Sequence, residues 1–306
     1  MAVLKRMKIA LPKVALLPTC LMLDEDGETK AVCDSTPIIR RLDAEFTERR
    51  VIPADPALAF IDYLLEDFAD EWCTKYMFHY RWASAEDADN AGTLLPLFQK
   101  VDMPAEIFKQ FKPFVTERQV SRLHVVGSSE VTAPVIDASY RRFLSAMESH
   151  LELQPFMLGQ RPGACDFALY GQLTQLVGFD PTSRAIAHAI APRVVAWTGL
   201  MEDQCGLEPT TDAWNTLEEA PLSLTVLLNE VGRVYAPALL ANAKALDKGD
   251  KTWQAPIDGS LWSQQTFAYQ GKCLKWINSE YQQLSTTDKL KVDGLLAGTG
   301  CEVLLS

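Results

Sequence analysis

The chain lacks every short motif that announces a reaction: it has no phosphate-binding glycine loop, no G-x-S-x-G elbow and no His-Glu-x-x-His. Histidine is scarce, with four in 306 residues, and the seven cysteines at 20, 33, 73, 165, 205, 273 and 301 are scattered without a C-x-x-C. A zinc site needs clustered ligands, so no metal is expected, and the thiols read as reduced cysteines of a cytoplasmic protein. No apolar run approaches the ~20 residues of a bilayer span. The basic and apolar start, MAVLKRMKIALPKVALLP, is interrupted by Lys8, Pro12 and Lys13, so it reads as mature chain rather than a signal peptide. Positive charge is in deficit. With 29 basic against 40 acidic residues the net charge is −11, a field that repels phosphate and excludes nucleic acid and anionic membrane as expected partners.

What is present is helix and a little strand. Residues 14–23, containing a proline, and Thr29–Cys33 flank the turn sequence DEDG and read as a hairpin. Asp34-Ser35-Thr36-Pro37 then opens a helix, with Thr36 as the expected cap and Pro37 at its first position. Asp55-Pro56 starts a long helix with an apolar stripe at Phe60, Leu64, Phe68 and Trp72. Its other face, Glu66, Asp67, Asp70 and Glu71, is expected to meet solvent or an interface, salted by Arg81. A metal-carboxylate site with His79 is disfavoured because the Glu-x-x-His spacing of bundle metal sites is missing.

Residues 83–94 read as a polar loop, and 104–124 and 134–153 as helices. Ala164 to Val177 is apolar on nearly every side, the pattern of a buried helix. Gly163 is its expected N-cap, and Asp166 can reach back to the backbone N–H of Gly163. Beyond 210, residues 221–234 and 237–246 read as two helices separated at Pro237, and 260–284 as one amphipathic helix, with a last short helix from Asp288.

The run PFMLGQRPGACDFALYGQL resembles the central helix of the C-terminal domain of glutathione transferases, with Gly163 in place of the family's usual cap hydroxyl. The proline of LPTC before the hairpin and the acid-Ser pair opening the next helix resemble the second half of their thioredoxin-like domain, and EDFADEW followed by FHYRW resembles a bacterial-type branch with an extended C-terminus. The resemblance implies a mostly α chain: a partial thioredoxin-like hairpin plus helix (1–50), an all-α transferase-type helical domain (51–215) and a helical C-terminal extension packed on it (216–306). It implies that glutathione is bound as substrate by Leu17 through its backbone, by Pro18, and by Asp34 and Ser35 at the γ-glutamyl end. An unknown small electrophile would be the second substrate, and the chain would pair as a homodimer through the helices opened at Pro37 and Asp55, with Arg40 and Arg41 meeting the acidic face.

The family's catalytic Tyr, Ser or Cys lies in a strand-helix-strand segment that does not fit before Val14, so no catalytic residue is assigned. Cys20 and Cys33 flank the site but read as small core hydrophobes. A capping role alone explains Asp34, Ser35 and Thr36 equally well. The competing expectation is a non-catalytic interaction module of the same fold.

Overall fold

The computed structural model describes residues 4, 6–12, 14, 18–210 and 213–305. The chain is mostly helical, at 66% helix, and it divides into two compact units, Met1–Ile52 and Pro53–Ser306.

In the first unit β1 (Thr19–Leu23) pairs antiparallel with β2 (Thr29–Cys33), in a register running from Thr19↔Cys33 to Leu23↔Thr29. Asp24 makes the turn: its Oδ1 accepts from the backbone N–H of Asp26 (3.0 Å) and Glu28 (2.8 Å), and Gly27 takes the left-handed φ of 78° that the reversal needs. Helix α1 spans Ser35–Glu45. It begins before the expected Thr36–Pro37 start, and Pro37 is tolerated inside the first turn because no N–H there has an intrahelical acceptor. Asp43 then draws the chain back by accepting from the N–H groups of Val51 (2.6 Å) and Ile52 (3.3 Å).

The second unit is built on two long helical rods. The first joins α2 (Pro56–Phe68), a π-helical turn (Ala69–Cys73) and α3 (Thr74–Ala83). Asp55 caps it, accepting from Leu58 N–H at 2.9 Å. Helices α4 (Ala85–Gln99), α5 (Ala105–Val120), α6 (Ala133–Leu151), α7 (Ala164–Gly178), α8 (Pro181–Ile190) and α9 (Pro192–Glu202) follow. The second rod is α10 (Leu222–Glu230), a π-helical turn (Val231–Tyr235) and α11 (Ala236–Lys248). After it come β3 (Thr252–Ile257), β4 (Ser260–Gln265), α12 (Ala268–Gln283), α13 (Thr286–Leu296) and a 3-10 turn (Cys301–Leu305).

One hydrophobic core runs from Ala57 to Leu304, so residues 216–306 belong to the same compact unit as 53–215. At its centre Phe68 meets Phe143 and Tyr235 with ring centroids 6.2 and 6.0 Å apart, and Trp72 meets Trp262 at 5.3 Å.

Four expectations are corrected. Residues 260–265 are strand, not the start of a helix: Asp258 and Gly259, at φ 47° and 82°, form a two-residue turn between Ile257 and Ser260, and Trp253, Ile257, Trp262 and Gln264 point inward by strand alternation. The helical spacing of Trp262 and Tyr269 had masked the Asp-Gly signal. Residues 85–94 are helix, not loop. Ser84 accepts from Asp87 N–H at 3.1 Å, and Ala88 and Ala91 are buried, so capping and an alanine face outweigh polar composition. Pro237 does not break the second rod, because the wider π-helical turn before it absorbs the missing donor. Finally, the acidic face of the first rod is only partly solvated: Glu66 and Asp67 are buried, Asp70 and Glu71 are half-buried, and Arg81, expected to salt the face, is paired at 2.9 Å with Asp180 instead.

Candidate functional site

Three of the four residues assigned to glutathione lie at the open end of the first hairpin. The register ends at Thr19↔Cys33, with Pro18 preceding the first of this pair in the chain and Asp34 following the second. Leu17 lies outside the described residues. Asp34 has φ 87° and ψ 123°, a conformation that an L residue adopts at a cost on the order of 1–3 kcal/mol. Its side chain makes no capping bond to α1. Ser35 and Thr36 occupy the first two helical positions, where backbone N–H groups lack intrahelical acceptors and the helix end is positive. Hydroxyls, the N–H groups of a helix start and a neighbouring carboxylate can together hold a zwitterionic amino-acid end: the carboxylate at the helix terminus, the ammonium at Asp34. Cys20 and Cys33 are half-buried free thiols on adjoining strands; Cys33 Sγ lies 3.4 Å from the Val14 carbonyl.

Gly163 and Asp166 do structural work in the second unit. Asp166 Oδ2 accepts from Gly163 N–H and its Oδ1 from Met157 N–H, both at 2.9 Å, so one carboxylate ties the loop before α7 to the helix start. Glycine supplies no hydroxyl, hence only the returning half of the capping box forms. Asp62, on α2, accepts from Cys165 N–H at 3.0 Å beside it. Burial pushes the Asp62 carboxyl up to about 8 and Asp166 to about 7, against the hydrogen bonds, which pull both down.

Two clefts in the second unit hold side chains that no sequence motif pointed to. One, of about 590 Å³, lies between α6 and α10 and is lined by Arg141, Arg142, Ser145, Ser223, Asn229 and Arg233, among others. Its charges are balanced: Arg142 grips Glu230 through Nε (2.6 Å) and Nη2 (2.9 Å), Arg142 Nη1 and Arg233 Nε hold Asp258 at 2.9 and 2.7 Å, and Arg141 pairs with Asp137 at 2.9 Å. The other, of about 510 Å³, is lined by His79, Ser84, Asp87, Ser128 and Thr182 among others. There His79 Nδ1 sits 2.8 Å from Ser128 Oγ, burial lowers the imidazole pKa, and Asp87 accepts from Thr182 N–H and Oγ1 at 2.9 and 2.6 Å. No sequence signal marks either cleft, because their residues come from segments far apart in the chain. Among the described residues no group of three or more His, Cys, Asp or Glu is placed to hold a metal ion, and no helix is long and apolar enough to cross a membrane.

Comparison of the chain with protein-family models, with curated proteins and with solved structures finds no match.

Proposed function

We propose that the chain is a glutathione transferase-like protein that binds glutathione at the open end of its first hairpin. The observation that carries the reading is Asp34, a non-glycine residue at positive φ between β2 and the N-terminus of α1. A residue that only starts a helix takes ordinary extended angles; a strained one points to a place where its direction matters. In this reading the α1 terminus and Ser35 hold the γ-glutamyl carboxylate, Asp34 takes the ammonium, and Pro18 lies beside the cysteinyl backbone. The chemistry implied is attack of the glutathione thiolate on a small electrophile, with the group that lowers the thiol pKa left unassigned.

The experiment is calorimetric titration of glutathione into the purified chain. Ser35→Ala weakens binding by about 1–3 kcal/mol through loss of a hydrogen bond to a charged group. Absence of binding by the unaltered chain overturns the reading.

A second reading, an interaction module of the same fold that acts as a homodimer, is favoured by a different observation. None of the residues of α5 is fully buried, and Ile107 and Phe114 stand 56% and 58% exposed near Phe98 and Val101 in sequence, at 70% and 88%. Such apolar exposure marks a surface that a partner covers.

A further inference from the structure

The helical unit carries a hydroxyl and an imidazole that glutathione binding does not use. Ser223 stands in the first turn of α10, and its Oγ lies 2.9 Å from Nδ1 of His150, which is wholly buried near the end of α6. Which ring nitrogen carries the proton follows from a count of donors. The Gln154 side-chain oxygen accepts from Asn215 Nδ2 at 2.7 Å, so its other terminal atom is the amide nitrogen, which approaches the carbonyls of Phe156 and Met157 at 3.0 Å each. Its two N–H groups are thereby used. That nitrogen also lies 3.1 Å from His150 Nε2, and donating there would leave it one N–H short of the two buried carbonyls. His150 Nε2, 3.2 Å from the Phe156 carbonyl, therefore holds the proton and donates it to that oxygen. Nδ1 is left as an acceptor, and the Ser223 hydroxyl donates to it. Burial lowers the His150 pKa, which favours the unprotonated ring whose Nδ1 can accept a proton.

Ser223 opens on the 590 Å³ cleft between α6 and α10. Leu224 N–H makes the first helical bond, to the Pro221 carbonyl at 2.9 Å; the N–H groups of Leu222 and Ser223 come before it, beside the hydroxyl, and offer positive charge to an oxyanion forming there. The cleft's arginines are already neutralised by Glu230, Asp258 and Asp137, so it does not select an anion. His79 and Ser128 make a similar contact in the second cleft, but among the described residues no hydrogen-bond partner fixes the His79 tautomer.

We propose that Ser223 and His150 are a nucleophile and its general base, hydrolysing small uncharged esters in this cleft. Ser223 Oγ attacks the ester carbonyl carbon while its proton passes to His150 Nδ1. The tetrahedral intermediate collapses, the bond to the alcohol oxygen breaks, and that oxygen leaves with the proton from Nδ1. Water then attacks the acyl-Ser223 ester, giving its proton to Nδ1. Ser223 departs reprotonated, and one ester and one water have become an acid and an alcohol.

The test uses the full chain and an alkyl fluorophosphonate, with adducts located by peptide mass mapping and p-nitrophenyl acetate hydrolysis followed in parallel. Ser223 is expected to label at least about 100-fold faster in the native chain than in urea, the scale of a positioned base. Ser223→Ala is expected to lose both the adduct and the hydrolysis. His150→Gln is expected to slow labelling by a similar factor while its melting curve stays cooperative. Should that variant fail to fold, the native-to-urea ratio for the unaltered chain decides alone. Equal labelling of Ser223 in native and unfolded chain, or hydrolysis undiminished in Ser223→Ala, overturns the proposal.

Discussion

Tyr235 donates its hydroxyl to Asp67 Oδ2 at 2.5 Å across 168 residues of sequence, so the π-helical turn of the second rod is bonded to the first rod inside the core. Both side chains are buried, and burial pushes the Asp67 carboxyl up to about 7 even though the tyrosine bond pulls it down. Together with Asp62 and Asp166 it makes a set of buried carboxyls whose pKa values burial raises.

This set fixes the sign of a pH dependence. Asp62 rises from an ordinary 3.8 to about 8, so between those values the folded chain keeps a proton that the unfolded chain has lost. The unfolding free energy contributed by Asp62 therefore falls as pH rises through that window. Asp62→Asn keeps the acceptor for Cys165 N–H and cannot ionise. Its stability relative to the unaltered chain should improve steadily from pH 4 to pH 8 in urea melts. A difference that does not change with pH would refute the assignment.

Lys75 predicts the opposite slope at higher pH. It is buried between the Trp72 and Trp262 rings, 5.6 Å from each centroid, and donates to the Val126 carbonyl (3.2 Å) and Gln264 Oε1 (3.0 Å). Burial lowers its pKa from 10.5 to about 8. Between those values the unfolded chain binds the extra proton, so stability rises with pH there. Lys75→Met should flatten the urea-melt profile from pH 8 to 10.

Two helical glycines should respond to alanine in opposite directions. A Cβ on Gly232 would meet the Thr299 carbonyl oxygen at 2.1 Å and the Gly300 carbonyl carbon at 2.7 Å, backbone atoms that cannot swing aside. Gly232→Ala is expected to cost about 1–3 kcal/mol or more and to loosen the last turn, read by thermal melts and by proteolysis near the C-terminus. Gly294, inside α13, has nothing within 4 Å of that position. Gly294→Ala should stabilise by about 0.5–1 kcal/mol.

Asp34→Gly separates strain from binding. Glycine accepts φ 87° freely, so the variant should gain about 1 kcal/mol of stability after its own greater chain entropy is counted. It should at the same time bind glutathione more weakly than the unaltered chain, since the carboxylate for the ammonium is gone. A variant both more stable and equally good at binding would remove the reason for placing glutathione there.

Phe114→Glu tests the interaction reading. Because the ring is already 58% exposed, the melting curve should move by no more than about 0.5 kcal/mol. Sedimentation of the unaltered chain at micromolar concentration is expected to show a dimer, and that of the variant a monomer. A monomeric unaltered chain would refute it.

The elements that the sequence determined by itself are those whose cause lies within a few residues. Asp55 and Pro56 start a helix whatever surrounds them, because the cap bond to Leu58 and the fixed φ of proline are local. The hairpin from Thr19 to Cys33 was legible for the same reason: Asp24 and Gly27 hold its turn. The Asp258-Gly259 turn carried an equally local signal, overridden by a helical spacing of aromatics that tertiary packing produces for another reason. Only the tertiary structure decided which charges are buried and which distant groups meet. Glu66 and Asp67 belong to a face that reads as solvated until the second rod covers it. His150 and Ser223, 73 residues apart, carry no mark of each other in the chain. A cap or a turn depends on neighbours already fixed by the peptide bond, whereas a side chain's solvation, pKa and partner depend on chain segments that only folding brings within reach.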